Sequence, residues 1–138
     1  MTMTFSKWLL LGVLAFLTGC QSYTVSQSNA FVDEDGNILR VTYGRLEKDH
    51  VSTFRVPNKD VEQPFRSKLM VIVDMPDGDS FKAYQTMNML GQGTLYQTSN
   101  KDYLFHAMGI SCGVYKRNAD KETYREAFIG VLTGGMGL

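Results

Sequence analysis

Apolar positions along the chain fall into three patterns. From Trp8 to Phe16 they are continuous, WLLLGVLAF. From Phe31 to Lys116 they come in short runs, several alternating with polar residues and separated by clusters of Asp, Asn, Gly and Pro. From Tyr124 they recur at i, i+4, i+7 and i+8, through Phe128, Val131 and Leu132. Alternation is the mark of strands, whose side chains point to opposite faces in turn, whereas the last spacing puts one stripe on a helix.

The middle region predicts a series of strands. Phe31-Val32 and Ile38 to Val41 flank Asp33-Glu34-Asp35-Gly36-Asn37, a hairpin signal because Asp, Asn and Gly accept the positive φ of tight turns. A strand over Ile38 to Leu46 is expected to turn at Glu47 to Asp49 and return as His50 to Val56. Asn58 to Ser67, with Pro64 and mixed charges, reads as a loop. Lys68 to Met75, KLMVIVDM, is apolar on both faces and so predicts a central strand covered on both sides. Pro76 to Asp79 is a turn, Ser80 to Leu90 a strand, Gly91 and Gly93 a bulge or turn, and Thr94 to Thr98 a strand. Ser99 to Asp102 is another turn signal. Tyr103 to Lys116 reads as one strand with Leu104, Met108, Ile110, Cys112 and Val114 on one face.

At the C-terminus, Asn118 suits a helix N-cap, Asp120 and Glu122 complement the positive end of a helix dipole, and Gly134-Gly135 supply a stop. The expected fold class is therefore α+β: a small antiparallel sheet with one C-terminal helix packed on it. Ala127, Gly130 and Gly134 would place small residues along one side of that helix, a candidate surface for association with a sheet or a second helix.

The N-terminal block changes what counts as the folded protein. One positive charge at Lys7 precedes the apolar stretch, the order found in secretory signals. With Leu17 it makes roughly 15 Å of helix, about half of what crosses a bilayer core. It ends in Leu17-Thr18-Gly19-Cys20, which resembles the lipobox of bacterial lipoproteins. That resemblance implies cleavage between Gly19 and Cys20, and Cys20 as first residue of the mature chain bearing palmitate-type acyl chains. Gln21, standing where Asp would retain such a protein in the inner membrane, implies delivery to the outer membrane, facing the periplasm. Residues 1–19 would be the signal, 20–30 a polar tether spanning roughly 18 Å r.m.s., and 31–138 a single periplasmic domain.

The 138 residues carry 14 Lys plus Arg against 14 Asp plus Glu, and removal of Lys7 leaves the acids one ahead. Such a balance gives no basic footprint for nucleic acid and no electrostatic attraction to anionic headgroups. Membrane attachment would rest on the lipid, stably so with two or more acyl chains. With Cys20 lipidated, Cys112 has no partner in its own chain.

Cys112 with His50 or His106 is the candidate nucleophile and base of an envelope thiol hydrolase. His106 and Cys112 on one strand would lie roughly 20 Å apart, far beyond the ~3 Å that proton transfer needs. Ile110 and Val114 also give the thiol an apolar setting, unlike that of reactive cysteines. Asp33 to Asn37 and Asp74 to Asp79 resemble calcium-ligating turns in composition, but Gly36 falls at position 4 rather than 6 and the EF-hand acid at position 12 is missing. No phosphate loop, metalloprotease motif or other cofactor motif is present. Tyr43, Tyr84, Tyr96, Tyr103 and Tyr115 suit either sheet packing or a binding face. The function expected from these features is a non-enzymatic, lipid-anchored accessory that binds an envelope protein or supports envelope assembly. Alternatives are an inhibitor or exclusion factor against an incoming hydrolase, phage or conjugation machine, and the thiol hydrolase.

Overall fold

The computed structural model describes residues 22–55, 62–89 and 91–133, and every regular element in them is a β-strand. The strands are β1 (Tyr23–Val32), β2 (Ile38–Arg55), β3 (Glu62–Asp74), β4 (Ser80–Met89), β5 (Gly93–Gln97), β6 (Tyr103–Met108), β7 (Ser111–Arg117) and β8 (Tyr124–Leu132). Each pairs antiparallel with the next, and β8 closes on β1 to make an eight-stranded up-and-down barrel. The α+β expectation is thus overturned: no helix occurs among the described residues.

Alternation along each strand sends one set of side chains inward. Cross-strand partners share a face, and the register links Phe31 to Leu39, Val41 to Val73, Val71 to Ala83, and then Tyr96, Phe105, Val114 and Phe128 in succession. These residues, with Cys112, form one buried cluster that fills the barrel. The outward set includes Arg40, Asp74, Lys82 and Glu126. An apolar inside and a charged outside is the reverse of a barrel that spans a membrane, which is polar within and apolar without.

The expected turns at Asp33–Asn37, Pro76–Asp79 and Ser99–Asp102 are present. In the first, the Asp33 carboxylate accepts from the backbone N–H of Asp35 at 3.0 Å and of Asn37 at 2.8 Å, and from the Asn37 side chain. Those bonds hold its pKa below the ordinary value. Four other expectations require correction. Tyr103–Lys116 is not one strand but the β6–β7 hairpin, folded at Gly109-Ile110; Leu104 consequently faces out, whereas Cys112 and Val114 face in. From Tyr23 on, the stretch read as tether is a strand paired with β2. From Glu62 on, the stretch read as a loop belongs to β3.

Finally, Glu47 to Asp49 does not end a strand. The four residues Leu46 to Asp49 of β2 stand opposite Lys68 alone, between the pairs Arg45↔Leu69 and His50↔Ser67. This surplus bends the β2–β3 hairpin, as a bulge does, and its outer part lies as an arm against the outside of the barrel. Phe54, 2% exposed, packs there with Leu95 and Leu104 and against Tyr115 and Tyr124. Lys101 Nζ reaches Glu62 Oε1 at 3.4 Å, and His50 Nε2 lies 3.3 Å from Ser99 Oγ. The arm explains why KLMVIVDM is apolar on both faces. Val71 and Val73 enter the barrel, while Met70 joins Leu46 and Tyr84 in a second cluster outside it.

Candidate functional site

The barrel places Cys112 and the two histidines on opposite sides of its wall. Cys112 is buried inside, and burial pushes its thiol up to about 12. His106 is on the neighbouring strand, opposite Gly113, so along the ladder it is close to Cys112. It points outward, where Nε2 donates to the Gln92 carbonyl at 2.6 Å. His50 rides on the arm, outside the barrel, stacked on Tyr84. The separation expected from a single strand is therefore replaced by a different obstacle, the sheet itself. Neither imidazole is brought to the thiol.

Nor do the small residues of the C-terminal segment form a helix face. Ala127 and Gly130 are on β8, while Gly134, like Gly19 and Cys20, lies outside the described residues. Gly130 faces into the barrel opposite Cys112, and the Phe128 ring lies over it. A Cβ at Gly130 would come within 2.6 Å of that ring and 2.8 Å of the Val32 carbonyl. Its smallness serves the seam between β8 and β1. No helix among the described residues offers the surface expected for self-association.

The tyrosines divide by face. Tyr43 and Tyr96 turn inward, and burial raises both hydroxyls, Tyr43 to about 12. Tyr84 and Tyr115 lie beneath the arm. Tyr103 stacks on Phe81, with ring centroids 4.4 Å apart. These rings serve packing.

The surface with features of a binding site is on the flank that the arm leaves bare. Ile38, Val131, Ile129, Met108 and Ile110 are exposed there, Val131 at 48% and Ile110 at 68%. They are neighbours: Ile38 pairs with Val32, Val32 with Val131, Val131 with Ser111, and Ser111 with Met108. A groove of about 640 Å³ opens in this strip, between the Asp33–Asp35 turn and β8 from Glu126 to Val131. Among the described residues, Asp33, Glu34, Asp35 and Glu126 line it, and no Lys or Arg does. It marks the barrel seam, where β1 accompanies β8 only through Phe31↔Leu132 and Val32↔Val131 before the chain leaves into the Asp33–Asn37 turn.

Sequence reasoning missed this groove because it depends on the register of the first and last strands. Its one sequence trace is the run Ala127-Phe128-Ile129-Gly130-Val131, whose apolar residues outnumber those that one buried face can take. Among the described residues no cluster of His, Cys, Asp and Glu could hold a metal ion. No family model matches the chain, and neither a curated protein nor a solved structure matches it.

Proposed function

We propose that the mature chain is a lipid-anchored outer-membrane module, facing the periplasm, that binds a protein partner as a non-enzymatic accessory. Anchorage rests on the resemblance of Leu17 to Cys20 to a lipobox and on a charged barrel exterior that offers lipid no continuous apolar band. Partner binding rests on one observation. The protein covers the apolar strip on one flank with its own arm, burying Phe54, Leu95 and Leu104, and leaves the strip through Ile129, Val131 and Ile110 uncovered. Contiguous exposed apolar surface of this kind marks interaction sites.

Two measurements test the reading. Cys20→Ala should release the chain from membranes, and retention after a high-salt wash would refute lipid anchorage. A photo-crosslinking side chain at Ile110 or Val131 should capture a partner in cells, whereas one at Lys121, exposed on the β7–β8 turn, should not. Equal adducts at all three positions would refute the assignment to this flank.

A further inference from the structure

We infer that the groove beside β8 takes an extended, basic peptide segment, which adds to β8 as a further strand. The inference rests on the protein-binding reading above and assigns the partner's chemistry. From Tyr124 to Gly130, β8 has a strand on its β7 side only, among the described residues. A strand edge without a neighbour is a row of backbone donors and acceptors, a template for another chain. The Leu132 N–H donates to the Ile110 carbonyl on the β7 side, while the Thr133 N–H donates to the Ala30 carbonyl on the β1 side. Alternation therefore turns the N–H and C=O of Ile129 toward the open side, into the groove.

An added strand would run where β1 would have continued had it not turned at Asp33. Its alternate side chains would lie over Ile129 and Val131 on the outer face. The charge of the occupant follows from the rim. Glu34, Asp35 and Glu126 are exposed carboxylates, and no cation among the described residues lines the groove to balance them. Basic side chains on the added strand complement that field, whereas an acidic strand meets like charge. The turn itself stays as built, since Asp33 already spends its carboxylate on the N–H groups of Asp35 and Asn37.

The test uses the full-length chain in detergent and a dye-labelled heptapeptide of alternating lysine and valine, with binding read by fluorescence anisotropy. The peptide should bind saturably and slow hydrogen exchange at the Ile129 amide. A copy N-methylated on the residues that face β8 keeps the charge but cannot join the ladder, and should bind at least about tenfold more weakly. The double variant Glu34→Lys with Glu126→Lys, both exposed positions, should lose about tenfold for the lysine peptide and gain for a glutamate counterpart. Equal binding of the methylated peptide would overturn strand addition, and indifference to the charge inversion would overturn basic recognition. A concentration-dependent dimer that excludes the peptide would assign the edge to a second copy and so overturn the proposal. If the peptide fails while crosslinks from Val131 still capture a partner, the accessory reading survives and the strand-addition proposal falls. If the crosslinks fail too, both fall.

Discussion

The imidazole of His50 lies parallel to the ring of Tyr84, with centroids 3.5 Å apart and planes 7° from parallel, and this stack clasps the β2–β3 arm to the barrel flank. Burial between Tyr84 and the Phe65 ring at 5.9 Å lowers the His50 pKa below its ordinary value of 6.5. The folded form thus binds its proton less readily than the unfolded chain does. Above pH 6.5 the group contributes no pH dependence. As pH falls through 6.5 toward the lowered folded value, the unfolded form gains protons first and stability declines. The protection of arm amides, taken against their intrinsic exchange at each pH, should fall between about pH 7 and pH 5, and His50→Gln should flatten that slope. An unchanged slope in the variant would remove His50 from the docking contact.

Arm docking should depend most on Phe54. Its ring is nearly inaccessible among Leu95, Leu104, Tyr115 and Tyr124. Phe54→Ala should cost roughly 3–5 kcal/mol, as truncation of a buried Phe does. Because the barrel interior is a separate cluster, the loss should appear first as proteolytic cleavage within the arm. Simultaneous loss of arm and barrel in exchange experiments would mean that the two are one cooperative unit.

Gly130 and Ala127 should respond differently to added bulk. Gly130→Ala drives a methyl against the Phe128 ring and the Val32 carbonyl, and the carbonyl belongs to the seam's last pairs and cannot yield as a side chain can. We expect a loss of about 1–3 kcal/mol in chemical denaturation. Ala127 is exposed at the point where the β7–β8 register slips, so Ala127→Val should change stability by no more than about 0.5 kcal/mol. Comparable costs at both positions would contradict the strand assignment.

The Cys112 thiol should be silent in the folded protein. It is 4% exposed, and with its pKa pushed up to about 12 almost none is thiolate near neutrality. Reaction with a thiol reagent at pH 8 should follow the rate of unfolding and become immediate in denaturant. Rapid labelling without denaturant would show that solvent reaches the barrel interior.

Strand positions were readable beside the Asp-rich turns, though not at Glu47 to Asp49, where β2 runs on. Asp33 to Asn37 and Pro76 to Asp79 carry the residues that close such turns by side-chain bonds to the backbone, and they do so. The same chemistry misled at Asn118 and Asp120. Asp120 accepts from the N–H groups of Glu122 and Thr123, as an N-cap would, yet it closes the β7–β8 turn. In β8 the inward positions are Phe128, Gly130 and Leu132, and a glycine among them erases the alternation. Exposed Val131 then completes, with Tyr124, Phe128 and Leu132, a helical spacing by accident. β1 was unreadable for the opposite reason: from Tyr23 to Ser28 it is exposed, so its polar residues show no buried face. The groove showed only as a surplus of apolar residues in Ala127 to Val131, since residues about a hundred positions apart meet there only through closure of the barrel.

If Cys20 carries the proposed lipid, that early start of β1 would make the lipid more than an anchor. With Cys20 as the acylated residue, only Gln21 and Ser22 separate it from Tyr23, a reach of about 10 Å. Such a link would hold the barrel by one end and deny it the wide swing of a ten-residue tether. The ten residues of β1, tilted as barrel strands are, then carry the chain roughly 25 Å along the barrel axis to Asp33. On the proposed anchorage the strand would act as a mast. It would lift the acidic groove clear of the headgroups and aim it into the aqueous space, where a soluble basic segment could reach it without meeting the bilayer.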